Sequence, residues 1–469
     1  MVMSGFYGRK EIFSDVSEVT AENVVDVIEK TMTVHRENRD QIDYLYRYKN
    51  GEQPIRFRKK EIRPEICNRI VVNRANEIVS FKDSYLMGKP VQYVGRGEGK
   101  RVSEGIKTLN DYMYAAKKTS CDKKLATWFH TCGVAYRMTL PDENDVNRDG
   151  SPLLMYALDP RNTYKVKYSG LGHPDLCSVN YVETEDKKNV YFVYTPSWYF
   201  EVRDDDEKLA VTRSAPHNLK QIPVTEYVNN EARLGSFEVV LDLLDAINIT
   251  VSNRIDGVEQ FIQSLMVLKG VDIDDEQFQS LKELGGIKVP EGGDVKFLTQ
   301  ELNQTQTQTI IDDMYSAILT ICGMPSTSSG NTSDSSNNGA VILKNGWQSA
   351  EARAQETQVL FEDSEKEFLT LALHILRDMR GLELELKDVE IRFTRTNYEN
   401  IMQKASVLTM LLQTDKVHPQ LAFSQSGMFV DPELAYSMSA DYIKEREAKA
   451  PNTPTEPTGE EVVNNAENN

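Results

Sequence analysis

Apolar residues recur at steps of three and four along most of this chain. The first such run, AENVVDVIEKTMTVHRENRDQIDYLYRYKNG, predicts a helix with Val24, Val27, Ile28, Ile42, Leu45 and Tyr46 on helical spacings and Gly51 as its stop. A second helix is predicted over residues 73–87, ended by Gly88 and Pro90 and followed by a strand. Further helices are predicted over residues 103–116 and 121–131, the latter feeding the strand GVAYRMTL. From residue 153 to 227 the period changes to short β-rich runs, LLMYAL, TYKVKY, LCSVNYVE, NVYFVY, WYFEVR, KLAVTR and IPVTEYV, which read as an antiparallel sheet.

The longest helical stripe lies in GSFEVVLDLLDAINITVSNRIDGVEQFIQSLMVLKG. Phe237, Val240, Leu241, Leu244, Ile247, Val251, Ile255, Val258, Ile262 and Leu265 follow one another on one face, predicting a single helix out to Leu268. About 32 residues at 1.5 Å each make a rod of roughly 48 Å. Asp242, Asp245, Ser252, Asp256, Glu259 and Gln263 fall on another face, which is expected to meet water. A small excursion follows: DDEQFQSLKELGG as a short helix, then IKVP and DVKFLT as a hairpin about the turn EGG. The chain returns through NQTQTQTIIDDMYSAILTICGMP, with Ile310, Met314, Ala317, Ile318 and Ile321 on one stripe. Long helix, small αββ cap and returning helix describe a projecting hairpin. After it comes GMPSTSSGNTSDSSNNGAV, almost free of large side chains, then a long helix over residues 340–380, a strand VEIRFTR, and helices in NYENIMQKASVLTMLL and DPELAYSMSADYIKEREA, the last with Asp431 as N-cap and Pro432 at its first position.

Composition narrows what such a chain does. At 469 residues and 40% apolar content it has material for two or three domains. A net charge of −18 argues against gripping nucleic acid over a broad basic face, yet leaves room for DNA that passes without being held. No run of about 18 apolar residues and no apolar stretch after the N-terminal charges occurs, so neither a membrane span nor a secretory signal is expected, and the chain is expected to fold in a cytoplasm. The last twenty residues, rich in Pro, Asn, Thr and Glu, read as an acidic disordered tail.

Candidate chemistry is sparse. Cys67, Cys121, Cys132, Cys177 and Cys322 are scattered and form no CxxC pair, and the neighbours His130/Cys132 and His173/Cys177 do not complete a zinc set. Asp204, Asp205 and Asp206 read as a solvated turn, and Asp272, Asp274 and Asp275 as helix caps before they read as Mg²⁺ ligands. GRGEGKR lacks the spacing of a phosphate loop, and neither GxSxG nor HExxH occurs. No enzyme, metal or cofactor is expected.

Two blocks, NRIVVNRANEIVSFKDSYLMGKPVQYVG and IPVTEYVNNEARLGSFEVVLDLLDAINITVSNRID, in that order and followed by helix, small αβ insertion, helix and polar loop, resemble the portal proteins of tailed bacteriophages, in the branch found in long-tailed phages of Gram-positive hosts. Such proteins form a ring, usually of twelve subunits, at one capsid vertex, and double-stranded DNA passes through its channel. The resemblance implies an α+β, mostly helical, portal-type fold. Its parts would be a β-rich wing (1–235), a first stem helix (236–270), a clip (271–303), a second stem helix (304–323), a tunnel loop (324–343), a long wing helix and strand (344–396), a crown (397–448) and the tail (449–469). The stretch VHPQLAFSQSGMFVDPEL, residues 417–434, carries His418 and Pro419 where the family often has a serine-capped helix start.

On that reading Ser326, Thr327, Ser328, Ser329, Asn331, Thr332, Ser333, Ser335, Ser336, Asn337 and Asn338 line the channel with weak, interchangeable hydrogen bonds and little bulk, while Lys344 reads equally as a phosphate contact or a solvated helix-start lysine. Taken without its flanks, the same run is a surface loop. Phe237, Val240, Leu244, Ile247, Val251, Ile255, Val258 and Ile262 are expected to be covered by neighbouring copies, since a lone hairpin would leave its apolar stripe wet. Implied partners are further copies of the chain, the DNA, the terminase large subunit, scaffolding and major capsid proteins, and a head-completion or adaptor protein, with no membrane. The competing readings are a structural head-tail adaptor without a DNA conduit and, less compatible with the missing motifs, a DNA-packaging enzyme.

Overall fold

The computed structural model describes residues 8–96, 99–143, 150–205, 208–262, 265–269, 294–298, 304–325, 338–395, 401–414, 416–429 and 432–449, divided between two units, Met1–Arg395 and Thr396–Asn469. It is a mixed α+β fold, mostly helical.

In the first unit, β1 (Phe13–Ser14) precedes α1 (Val24–Lys49), which joins two cores. The first turns of α1 bury Val24, Val27, Ile28 and Met32 against a six-stranded sheet, whereas Ile42, Leu45 and Tyr48 enter a second core with α2 (Arg74–Met87). The sheet runs β1-β5-β6-β7-β8-β9, with β5 (Thr163–Tyr168), β6 (Asp175–Glu183), β7 (Asn189–Tyr194), β8 (Trp198–Asp205) and β9 (Lys208–Pro216) antiparallel and β1 parallel to β5. Asp204 and Asp205 pair with Leu209 and Lys208 at its last hairpin.

The β-rich stretch expected as one sheet is in fact two. β10 (Val224–Val228) leaves the larger sheet and pairs with β3 (Val134–Pro141), which pairs in turn with β4 (Leu153–Leu158). Between α3 (Lys100–Ala115), α4 (Lys118–Cys132) and β3 the chain reverses at Gly133, where φ is +89° and an added Cβ would lie 2.0 Å from the Arg233 carbonyl oxygen, so only glycine fits. β2 (Gln92–Gly95) pairs with β13 (Val389–Arg392), joining distant parts of the sequence.

A helical hairpin, the part expected as the stem, follows β10. It consists of α5 (Leu241–Ile262), the antiparallel strands β11 (Leu265–Lys269) and β12 (Asp294–Leu298), and α6 (Gln304–Cys322). The 43-residue α7 (Asn338–Arg380) comes next and buries a broad face through Phe368, Leu371, Ala372, Ile375 and Leu376, while Lys366, Thr370 and Arg377 stay exposed on the other side.

A buried charge cluster fixes the register of α7. Glu365 accepts from Tyr93 Oη (2.6 Å) and Tyr227 Oη (2.8 Å) and pairs with Lys118 (2.8 Å) and Arg137 (3.0 Å), while Asp122 pairs with the same two cations. Burial alone would raise the Glu365 carboxyl, but Arg137 and Lys118 bring it down to about 2. The Asp122 carboxyl stays raised by burial despite the same cations. Phe368 lies under the Arg137 guanidinium at 4.3 Å.

The second unit holds α8 (Ile401–Leu412), α9 (Pro419–Gln425) and α10 (Pro432–Lys449). The short α9 was not expected from periodicity. His418 starts it, its Nδ1 accepting from the Gln420 N–H at 3.2 Å, with Pro419 at the first helical position. Phe423 anchors it, stacked on Phe429 and edge-on to Tyr436.

Candidate functional site

The hairpin expected as the stem is where sequence and structure differ most. The expected 32-residue helix is a short 3-10 turn, Glu238–Val240, followed by 22 residues of α5. Beyond it Leu265–Lys269 is a strand, and its partner is Asp294–Leu298. The expected hairpin partner at residues 287–290 lies outside the described residues. A short apolar run satisfies a helical stripe and a strand equally, so the period alone did not find this boundary.

The stripe itself divides in two. Phe237, Val240, Leu244 and Ile247 are buried within the chain, in a core with Tyr48, Ile78, Ile318, Leu319 and Cys322. They are therefore not surfaces awaiting a neighbouring copy, because α1, α2 and α6 already cover them. Val251 packs at the margin of that core, Val258 is half-buried, and Ile255 is exposed, at 36% of its surface. The Ile262 side chain lies outside the described residues.

The polar face of α5 corrects a second expectation. Asp242 is exposed and Asp245 and Glu259 are half-buried, but Ser252 and Asp256 are buried rather than wetted, and Asn248, one turn before Ser252, is buried with them. Asn248, Ser252 and Asp256 accept, in turn, the backbone N–H groups of Val72 (2.8 Å), Ile70 (3.0 Å) and Asn68 (2.8 Å). The match is geometric. Four residues of helix advance about 6 Å, close to the roughly 6.6 Å of two residues of extended chain, so acceptors at i, i+4 and i+8 meet alternate N–H groups of a segment running the other way. Asn248 also donates to Gln53 Oε1 (2.5 Å), and Asn68 donates its side-chain amide to Asp256 (2.8 Å). Lys60 (2.6 Å) and Arg58 (3.3 Å) neutralise Asp256. Burial would raise that carboxyl, but the Lys60 and Asn68 bonds hold it below the usual carboxylate range.

α6 is rooted in the same body. Tyr315 donates to Glu77 (2.7 Å) under the Arg74 guanidinium, which stands 3.9 Å over its ring. Toward its free end, Gln308 accepts from Arg254 of α5 (2.6 Å). The helix closes at Gly323, φ +64°, where Met324 N–H returns to the Leu319 carbonyl.

The polar loop begins just past that cap. Ser326, Thr327, Ser328, Ser329, Asn331, Thr332, Ser333, Ser335, Ser336 and Asn337 lie outside the described residues; Asn338 and Lys344 fall within the first turns of α7, and their side chains lie outside them too. Asp272, Asp274 and Asp275 also fall outside. Among the described residues no cluster of His, Cys, Asp or Glu is placed to hold a metal, and no helix is long and apolar enough to cross a membrane. Cys67 is half-buried and the other four thiols are buried; burial pushes Cys132 and Cys177 up to about 12.

The segment clamped by α5 opens the first of the two sequence blocks that carried the portal resemblance, and most of α5 closes the second. A comparison with family models matches residues 28–452 to "Phage portal protein, SPP1 Gp6-like". The chain belongs to this family. No curated protein matches it. Among solved structures, a portal-family chain such as this one is similar to a chain of "Neck of native GTA particle computed with C12 symmetry", at 11% identity, covering 76% of this chain and 90% of that one with a TM-score of 0.46. It is also similar to a chain of "Virion of native gene transfer agent (GTA) particle", at 10% identity, 83% and 94% coverage and a TM-score of 0.47. A phage portal protein is a structural component of the virion and not an enzyme.

Proposed function

We propose that this portal-family chain assembles as a closed ring, most simply of twelve copies, at one capsid vertex, and that double-stranded DNA is packaged and ejected through its channel. The ring docks the terminase large subunit during packaging and a head-completion protein afterwards, and it meets scaffolding and major capsid proteins at its rim. The carrying observation is the family match over residues 28–452. The hairpin of α5, β11, β12 and α6 fits the reading, since Ile249, Ile255, Ile310 and Ile321 leave apolar surface on it that neighbouring stems would cover. The likeness of the two sequence blocks to the branch found in long-tailed phages of Gram-positive hosts supports assigning the chain to that branch. In this reading the Ser/Asn/Gly run over residues 326–337 faces the channel, where small neutral side chains touch phosphates without holding them.

Electron microscopy of the purified chain tests the ring: closed particles with an opening wide enough for a duplex are expected, and a protein that stays monomeric under all conditions overturns the reading. Deleting residues 328–337 should leave those rings intact and impair packaging. Full-length packaged genomes in that variant would turn the assignment toward an adaptor without a conduit role.

A further inference from the structure

A ring needs a lateral contact, and this inference rests on the ring reading above. Residues 56–69, RFRKKEIRPEICNR, hold six cations against two anions in a chain whose net charge is −18. The segment is built rather than slack: Ile66 is buried, Lys60 Nζ donates to the Ile66 carbonyl (3.2 Å), and Arg58 and Lys60 are tied to Asp256 of α5. What it holds outward is unusual for a surface. Phe57 is 71% and Ile62 83% exposed, with Arg56, Lys59 and Arg69 exposed around them. Large apolar side chains rimmed by charge mark an interaction surface.

The complementary surface is on the same stem. The basic segment touches α5 at Asn253 and Asp256, whereas α6 touches it at Arg254. At 3.6 residues per turn these directions lie roughly 100° and 160° apart, so the segment and α6 occupy different flanks of α5 at one level along the stem. At that level α6 exposes Ile310 (53%), Asp312 and Asp313. Rotation about a ring axis keeps every group at its own height, so a flank of one copy meets the neighbouring flank of the next at the same level.

We propose that the segment of residues 56–69 docks on α6 of the adjacent copy, its cations against Asp312 and Asp313 and its Phe57 and Ile62 against Ile310. The lateral bond of the ring is then a basic and apolar loop on an acidic and apolar helix.

The test uses the full chain in three forms: Asp312→Lys with Asp313→Lys, Lys59→Glu with Arg69→Glu, and all four together. Each pair alone sets like charges face to face and should lower the fraction of chain in rings by about tenfold or more, and the combined variant should recover it. Wild-type rings should also loosen between about 0.1 M and 1 M salt, as the screening length falls from about 10 Å to about 3 Å. Independently of charge, a chain carrying Lys59→Cys and Asp313→Cys should give a ladder of linked subunits with a short bis-maleimide that neither single variant gives. Pairs that form rings as well as wild type, a combined variant that does not recover, or no ladder would each overturn the contact. A basic segment that instead binds free duplex DNA, with rings untouched by its charge reversal, would reassign it to phosphates. Wild-type chain that never closes into rings would sink the ring reading itself, a result distinguishable from all of these.

Discussion

Two long helices of this protein bury polar side chains where an amphipathic helix ordinarily buries apolar ones, and they do so toward different partners. On α7, Glu365 sits among Lys118, Arg137, Tyr93 and Tyr227, all of them side chains. On α5, Asn248, Ser252 and Asp256 face main-chain N–H groups. A cluster of side chains is in principle replaceable as a whole, because its members can all become apolar together. A ladder onto main chain is not, because the N–H groups remain whatever side chains surround them. The α7 cluster thus orients a helix against a sheet, whereas the α5 ladder secures the stem to a segment that has no sheet partner of its own.

The largest effect should come from breaking the α7 cluster by one member. Glu365→Ala leaves Arg137 and Lys118 buried with only Asp122 between them, a loss of about 3 to 5 kcal/mol. Denaturant titration of the full chain should show it in the first unfolding transition. Glu365→Gln, which keeps acceptors for the two tyrosines, should lose less. An Ala variant with a wild-type midpoint would remove the cluster as a determinant of how α7 is seated.

Acid separates these carboxylates from a third buried polar group. His35 on α1 stacks on Tyr164, lies edge-on to Tyr181 and bonds through Nε2 to the Arg161 carbonyl at 3.0 Å. Burial, only partly opposed by that carbonyl and reinforced by Arg39, lowers it from 6.5 to about 4. The sign follows from linkage. The unfolded chain protonates this ring near 6.5 and the folded one only near 4, so its contribution is complete above 6.5 and drains away as pH falls between them, by about 3 kcal/mol at most. Glu365 is lost only lower, as pH falls through its folded value of about 2. Melting temperature followed from pH 7 to 4 should therefore decline, and less steeply in His35→Phe. The buried His130 and the half-buried His217, both lowered by desolvation, contribute to the slope that remains in that variant. Equal slopes would show that His35 does not titrate in this window.

Much of the architecture was legible in residue patterning, because α1, α2 and α7 each bury one regular face and the strands from Leu153 to Val228 stand out as short β-rich runs. What stayed hidden has a common physical cause. Leu265–Lys269 is apolar at every position but the last, so helix and strand fit it equally until Asp294–Leu298 is seen beside it. The split of the sheet after β9 depends on which strand β3 pairs with, a long-range choice that no local pattern encodes. On α5, Ser252 and Asp256 were visible in a polar stripe but were assigned to solvent, and Asn248 was not singled out. A charge-free reading of polarity does not distinguish a wetted face from one whose acceptors are already occupied by main chain. The excess of cations in residues 56–69 was masked in the same way by the overall charge of −18.

That last ambiguity makes the α5 ladder the sharpest place to test the comparison, although its energies are the smallest. Ser252→Ala removes one acceptor and strands the Ile70 N–H, which should cost about 1 to 3 kcal/mol, with Asn248→Ala toward the upper end because Gln53 loses its partner as well. Asp256→Asn keeps an acceptor for Asn68 but leaves Lys60 and Arg58 without their anion. Hydrogen exchange distinguishes these cases from a general loss of stability. Ser252→Ala should release the amide of Ile70 far more than those of Val72 or Asn68, whereas a face that merely brushes water would lose no site-specific protection. If all three amides exchange as in wild type after each substitution, the stem is held to its body by the apolar core around Phe237 and Ile318 alone, and the polar stripe of α5 returns to being solvent surface.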